Sequence, residues 1–246
     1  MMAKKKDECV KKGTSECAAA AGEMVPMPVH ESGRAQSCDL VFVLDCSGSM
    51  AGLESDTIGG FNAVLKEHKA LPGKATVSTV LFNHKSRVLH DREDIENVAL
   101  LTEKDYRVGG CTALLDAVGG AIHYTKKVHG YLPKEHRPEK TIMVIITDGM
   151  ENASTKYSYK EVTHLINKCE KKHNWEFLFL GANIDAASEA QRIGIASERA
   201  ATYLADEQGT NMVYQTVAAA SCHLRECGHL GVNWAEDIEA DCAARG

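Results

Sequence analysis

The chain has 246 residues, 44% of them hydrophobic and 25% charged, with a formal net charge of −6. That length and balance suit one sizeable α/β domain with its own core. The negative charge argues against unspecific nucleic-acid binding, and no stretch approaches the ~20 apolar residues of a membrane span.

Residues 1–37 read as a flexible N-terminal tail, rich in Lys, Glu, Ser, Gly and Ala, with Pro26 and Pro28 and no periodicity. Lys4, Lys5 and Lys6 are followed by Asp7, Glu8, Lys11 and Lys12 rather than by an apolar segment. The expectation is therefore no secretory signal and a cytoplasmic protein. Nine cysteines at irregular spacing then read as reduced thiols, and Cys9, Cys17 and Cys38 match no zinc ribbon or finger.

The first strand is expected over residues 40–44, an apolar run suited to burial on both faces. It stops at Asp45, and Ser47, Gly48 and Ser49 follow on a chain that must bend. A carboxylate and two hydroxyls at i, i+2 and i+4 converge when a loop curls over a strand end. They are hard oxygen donors suited to Mg²⁺, with Mn²⁺ or Ca²⁺ as alternatives, and not to zinc or copper.

Residues 54–69 have a helical pattern that contains Gly59 and Gly60, a cost explained either by close packing against the sheet or metal loop or by a later helix start. Residues 75–82 and 87–90 read as strands joined by a four-residue turn, hence an antiparallel hairpin. Residues 91–106 read as a loop with a short helix near 95–100. Gly109, Gly110, Cys111 and Thr112 precede a helix over 113–129, with Thr112 at its N-cap, where a hydroxyl ordinarily caps the helix.

Another buried-strand run, residues 142–146, leads to Asp148 and Gly149. Ser158 and Glu161 form a capping box for the following helix. Residues 176–180 form a fifth strand, so Asn183 and Asp185 fall at the same end of the sheet as Asp45 and Asp148. A short helix closed by Gly194, a strand near 201–204 and a helix over 210–224 complete the domain. Alternating strands and helices predict a three-layer, doubly wound, mostly parallel sheet with one antiparallel edge strand. Residues 226–246 are expected as a C-terminal tail. The spacing of Cys222, His223, Cys227, His229 and Cys242 does not suit zinc.

The pattern Asp45-x-Ser47-x-Ser49, then Thr112, then Asp148 after an apolar strand, resembles the metal-ion-dependent adhesion site (MIDAS) of von Willebrand factor A (vWA) domains. All five positions agree, and the resemblance spans roughly residues 39–220, with bacterial single-domain vWA proteins most similar. It implies that these five residues hold a divalent cation and that an Asp or Glu of a protein partner completes its coordination. It also implies a partner-facing rim of Gly48, Met50, Gly110, Cys111, Gly149, Glu151, Asn183 and Asp185. Three hydroxyls and two carboxylates leave at least one position of an octahedral ion open, and neutral hydroxyls leave it electrophilic. Neither nucleic acid nor membrane is an expected partner, and the oligomeric state is left open. A Mg²⁺-dependent phosphoesterase is the alternative, with Glu151, Asn152 and Cys46 as its candidate groups, though no elbow, zincin or P-loop motif accompanies them. A metal-free scaffold is the third reading.

Overall fold

The computed structural model describes residues 37–246, so the expected tail lies, apart from Ser37, outside the described residues. The elements run β1 (Cys38–Asp45), α1 (Glu54–Ala70), β2 (Ala75–Phe82), β3 (Ser86–Asp94), α2 (Leu114–Tyr131), β4 (Lys140–Thr147), α3 (Tyr159–His173), β5 (Trp175–Ala182), α4 (Ala186–Ile193), β6 (Ala200–Tyr203), α5 (Glu207–Cys227) and α6 (Glu236–Arg245). The six strands lie in the order β3-β2-β1-β4-β5-β6, and only β3 is antiparallel. This is the doubly wound mixed sheet that the alternating pattern predicts.

Successive side chains of a strand face opposite layers. Leu40, Phe42 and Leu44 therefore join one core with Phe61, Val64 and Leu65 of α1 and Val213 and Val217 of α5. Val41 and Val43 join the other, with Val118 and Ile122 of α2 and Ile166 of α3. Burial on both faces is why β1 carries no polar alternation. Each such Leu, Ile or Phe contributes about 1.5–3 kcal/mol by leaving water. The strand order reverses beside β1: β2 lies on one side and β4 on the other. The switch point of the sheet is thus the β1–β4 pair, at whose carboxyl ends ligands sit in open α/β sheets.

Two expectations fail here. The segment after His90 does not loop out: β3 continues to Asp94, pairing Glu93 with Val77 and Asp94 with Thr76, and no helix forms over residues 95–100. Its charges are tolerated because β3 is an edge strand with a solvent face. The C-terminal tail also folds. α6 packs Ile238 into the α1/α5 core, Arg245 pairs with Asp206 and Asp241, and the Cys242 thiol donates to the carbonyl of Thr202 on β6 at 3.2 Å. α6 thereby lies against an edge strand otherwise open to pairing. Among the described residues no helix is long and apolar enough to cross a membrane.

Candidate metal centre

β1 delivers Asp45 to the switch point and β4 delivers Asp148 one residue beyond its own end. Asp45 is 1% exposed. Its Oδ1 accepts the Ser47 amide at 2.7 Å and its Oδ2 accepts the Thr147 hydroxyl at 2.6 Å. The loop then turns through a short 3₁₀ segment, Gly48–Met50. That turn sets the Ser47 and Ser49 hydroxyls 3.0 Å apart, and Ser49 donates to Asp148 Oδ1 at 2.7 Å. Since Ser49 has one proton and gives it to Asp148, Ser47 is the donor between the two serines. Four of the five residues that the vWA resemblance implies as ligands are thus joined or adjacent through their side chains or local backbone.

The fifth, Thr112, is not the helix cap its position suggests. The N-cap of α2 is Ala113, with no side-chain cap. The first amides of α2 are capped from across the chain: Glu151 Oε2 accepts the Leu115 amide at 2.9 Å and Ser154 Oγ accepts the Asp116 amide at 3.0 Å. Thr112 is held by its backbone instead, its amide donating to Asn152 Oδ1 at 2.9 Å and its carbonyl accepting the Asn152 amide at 3.0 Å. Thr112 as a residue is 2% exposed, and its hydroxyl makes no hydrogen bond among the described residues. A Cβ on Gly149 would stand 2.6 Å from that oxygen, so glycine is what lets the β4 loop approach Thr112.

Backbone contacts tie the three segments together. Gly109 donates to the Cys46 carbonyl at 2.9 Å and Gly48 to the Gly110 carbonyl at 3.0 Å, while Asn83 Nδ2 donates to Gly109 at 2.7 Å. Gly110 has φ +82, a conformation L side chains rarely adopt, and the His84 ring occupies the space a Cβ would need.

Burial pushes the Asp45 carboxyl up to about 6, against the Thr147 and Ser47 hydrogen bonds that favour its charge, with the nearby Asp148 adding to the rise. Asp148 is raised as well, first by burial. The strand offers its own comparison. Asp39, fully buried at the opposite end of β1, is bound by Arg92, by His129 at 2.7 Å and by Thr76 at 2.8 Å. Asp45 has no cationic partner among the described residues.

The rim residues separate. Gly48, Gly110 and Cys111 are exposed and Gly149 is half-buried. Met50 is a correction: the 3₁₀ turn directs it inward, where it is 1% exposed in the α1/α5 core. Glu151 is engaged locally, accepting the Ala153 and Ser154 amides, the Ser154 hydroxyl and the Leu115 amide. Exposed Asn183, at φ +52, accepts the Ala205 amide. Exposed Asp185 caps α4 through the Ser188 amide. Cys46 is 7% exposed and burial raises its thiol to about 11, so it packs as a small apolar residue. Among the described residues no three His, Cys, Asp or Glu side chains converge, including those of the C-terminal segment.

Sequence reasoning missed two supporting residues, Thr147 and Tyr106. The buried Tyr106 hydroxyl donates to the main-chain oxygen of Asp45 and so fixes the end of β1. Tyr106 ends a segment, residues 91–106, that reads as a loop, and its partner lies 61 positions away. Tyr106→Phe should cost about 1 kcal/mol in chemical denaturation, since it strands a buried carbonyl. An unchanged midpoint would show that the carbonyl finds another donor.

A family-level sequence comparison matches residues 14–202 to the family described as "VWA domain containing CoxE-like protein". No curated protein matches by sequence. Among solved structures, proximal thread matrix protein 1 (PTMP1) from the mussel byssus, in a form with a zinc-occupied MIDAS motif, aligns with TM-score 0.52 at 17% identity, over 76% of this chain and 46% of that one. The von Willebrand factor type A protein from Catenulispora acidiphila aligns with TM-score 0.50 at 16% identity, over 76% and 43%. The vWF domain of the type V pili tip protein Mfa5 from Porphyromonas gingivalis aligns with TM-score 0.52 at 11% identity, over 75% and 96%. The chain spans less than half the length of the first two, and at these identities the likeness is one of fold. The family match covers well over half of the sequence, and the chain belongs to the VWA domain containing CoxE-like proteins.

Proposed function

We propose that the chain is a divalent-metal-dependent protein-binding module, with Asp45, Ser47, Ser49, Thr112 and Asp148 holding the cation. The observation that carries this reading is Asp45: a buried carboxylate with no cationic partner among the described residues, close to a second carboxylate, beside Thr112, whose hydroxyl makes no hydrogen bond among the described residues. Such an arrangement disfavours both charges until a cation joins it. The donors are all hard oxygens, which suits Mg²⁺ and also admits Mn²⁺ or Ca²⁺. The zinc-occupied motif of PTMP1 supports metal binding in this fold.

The neutral hydroxyls leave the bound ion electrophilic, and the exposed Ser49, Gly110 and Cys111 leave it approachable. An Asp or Glu side chain of a partner protein would fill the open position. Gly48, Gly149, Asn183 and Asp185 would border that contact. Glu151 supports the rim by holding the start of α2.

Capture of partners from a lysate tests this. Thr112→Val keeps the shape of the side chain and removes an oxygen that makes no hydrogen bond among the described residues, so the fold should be unaffected. Proteins retained in Mg²⁺ should be released by EDTA and should not be retained by Thr112→Val. Retention that ignores both changes would refute a metal-dependent contact.

A further inference from the structure

The loop from β4 to α3 and the first turns of α2 hold each other by side chains from both sides. From α2, the Asp116 carboxylate reaches into the loop and accepts three successive amides. Oδ1 takes those of Lys156 at 2.8 Å and Tyr157 at 2.9 Å, and Oδ2 that of Thr155 at 3.1 Å. From the loop, Glu151 and Ser154 take the amides of Leu115 and Asp116. The loop begins at Asp148, and α2 follows Thr112. This reciprocal brace therefore joins the segments of two proposed ligands through the protein itself.

Asn152 sits where the brace meets Thr112. Its Oδ1 accepts the Thr112 amide at 2.9 Å, and its own amide donates to the Thr112 carbonyl at 3.0 Å. One residue thus fixes the peptide groups on both sides of Thr112. Threonine is branched at Cβ and stiff at χ1, so a fixed backbone leaves its hydroxyl few directions. Gly149 bounds the other side, where a Cβ would stand 2.6 Å from that hydroxyl. The Thr112 oxygen is held against the chain one residue beyond Asp148.

Stability alone would be served by the Asp116 and Glu151 bonds, which touch neither Thr112 nor Asp148. The Asn152 pair is different. It holds the one residue at the head of α2 whose hydroxyl is a proposed ligand, and whose capping work Glu151 and Ser154 have taken over.

We propose that Asn152 is a positioning residue of the metal centre: through the Thr112 backbone it sets the Thr112 hydroxyl beside Asp148. It acts through Thr112 and not as a ligand. The role rests on Thr112 being one of the cation's ligands, the reading given for the site.

Calorimetry of Mn²⁺ binding to the full-length protein tests it. Loss of a group that orients a metal ligand weakens a site about 10- to 100-fold, so Asn152→Ala should raise the Kd for Mn²⁺ by about tenfold or more. Its circular dichroism spectrum should be unchanged, because the Asp116 and Glu151 bonds remain. The readout that a merely structural role would not move is coupling. Thr112→Val should weaken binding in the wild-type background and add little on top of Asn152→Ala, since the hydroxyl it removes is already out of place. Asn152→Asp keeps an oxygen for the Thr112 amide and should bind Mn²⁺ at least as tightly as wild type. Unchanged affinity in Asn152→Ala overturns the proposal, and so do losses that simply multiply in the double variant. If Asn152→Ala does not fold, Asn152→Asp decides, and weakened binding there overturns it. Wild type that takes up no Mn²⁺ defeats the metal reading itself and this role with it. Wild type that binds while Asn152→Ala binds equally well defeats this role alone.

Discussion

Mg²⁺ at a hundredfold excess over its Kd should stabilise the protein by about 2.7 kcal/mol, and Asp148→Ala should abolish that gain. The size follows from linkage alone, because an ion that binds only the native state adds RT ln(1 + [L]/Kd). The choice of variant follows from the hydrogen bonds. Asp45 is buried and accepts the Ser47 amide and the Thr147 hydroxyl, so its removal strands two donors and destabilises the protein with or without metal. Asp148 is half-buried and accepts the hydroxyl of Ser49, itself exposed, which water can satisfy when the carboxylate is gone. Asp148→Ala should therefore melt near the metal-free wild type and keep its circular dichroism spectrum. Thermal melts with Mg²⁺, Mn²⁺ and EDTA separate the outcomes. Calorimetry showing no divalent-ion uptake by folded wild type would end the metal reading and leave the fold without an assigned site.

The sheet was legible because its central strands are buried on both faces. β1, β4 and β5 are apolar runs that end at a carboxylate or at glycine, and at the start of β1 the polar Asp39 is held by Arg92 and His129. The two carboxylates of the candidate site were legible for the same reason: each interrupts such a run at the same end. What escaped depends on contacts distant in sequence. β3 carries Arg92, Glu93 and Asp94, a charged run that has strand structure only because β2 supplies its hydrogen bonds. α6 is held by Ile238, by the Arg245 pairs with Asp206 and Asp241, and by Trp234 donating to the Glu198 carbonyl. Few of these partners are near α6 in sequence, and its composition alone does not distinguish it from a solvated tail. Thr112 shows the same limit at the scale of one side chain. Its position read as a cap until Glu151 and Ser154, about 40 residues on, took over the capping. That substitution leaves the Thr112 hydroxyl available to a cation.

Gly59→Ala and Gly60→Ala, adjacent substitutions of the same kind, should change stability in opposite directions. Both glycines lie inside α1, where exchange for alanine gains about 1 kcal/mol of helix propensity. At Gly59, which is exposed, a Cβ meets nothing within 4 Å, so the gain should appear in full. At Gly60 a Cβ would lie 2.3 Å from Cδ2 of Tyr214 and 2.7 Å from its Cβ. Tyr214 is 2% exposed on α5 and has no open side to swing toward, so α1 and α5 must separate. Overpacking of this kind costs about 1–3 kcal/mol, and a contact this close to a locked ring belongs at the upper end. The net loss at Gly60 should be about 2 kcal/mol after the propensity gain. α2 repeats the arrangement in a softer form. Gly120 is open, whereas a Cβ on Gly119 would meet the Tyr157 ring at 2.6 Å, but Tyr157 is only half-buried and can shift. Gly119→Ala should accordingly cost less than Gly60→Ala. Urea midpoints at constant m-value measure all three variants. A stabilised Gly60→Ala would mean that α5 does not rest on α1 as closely as the Tyr214 contact requires.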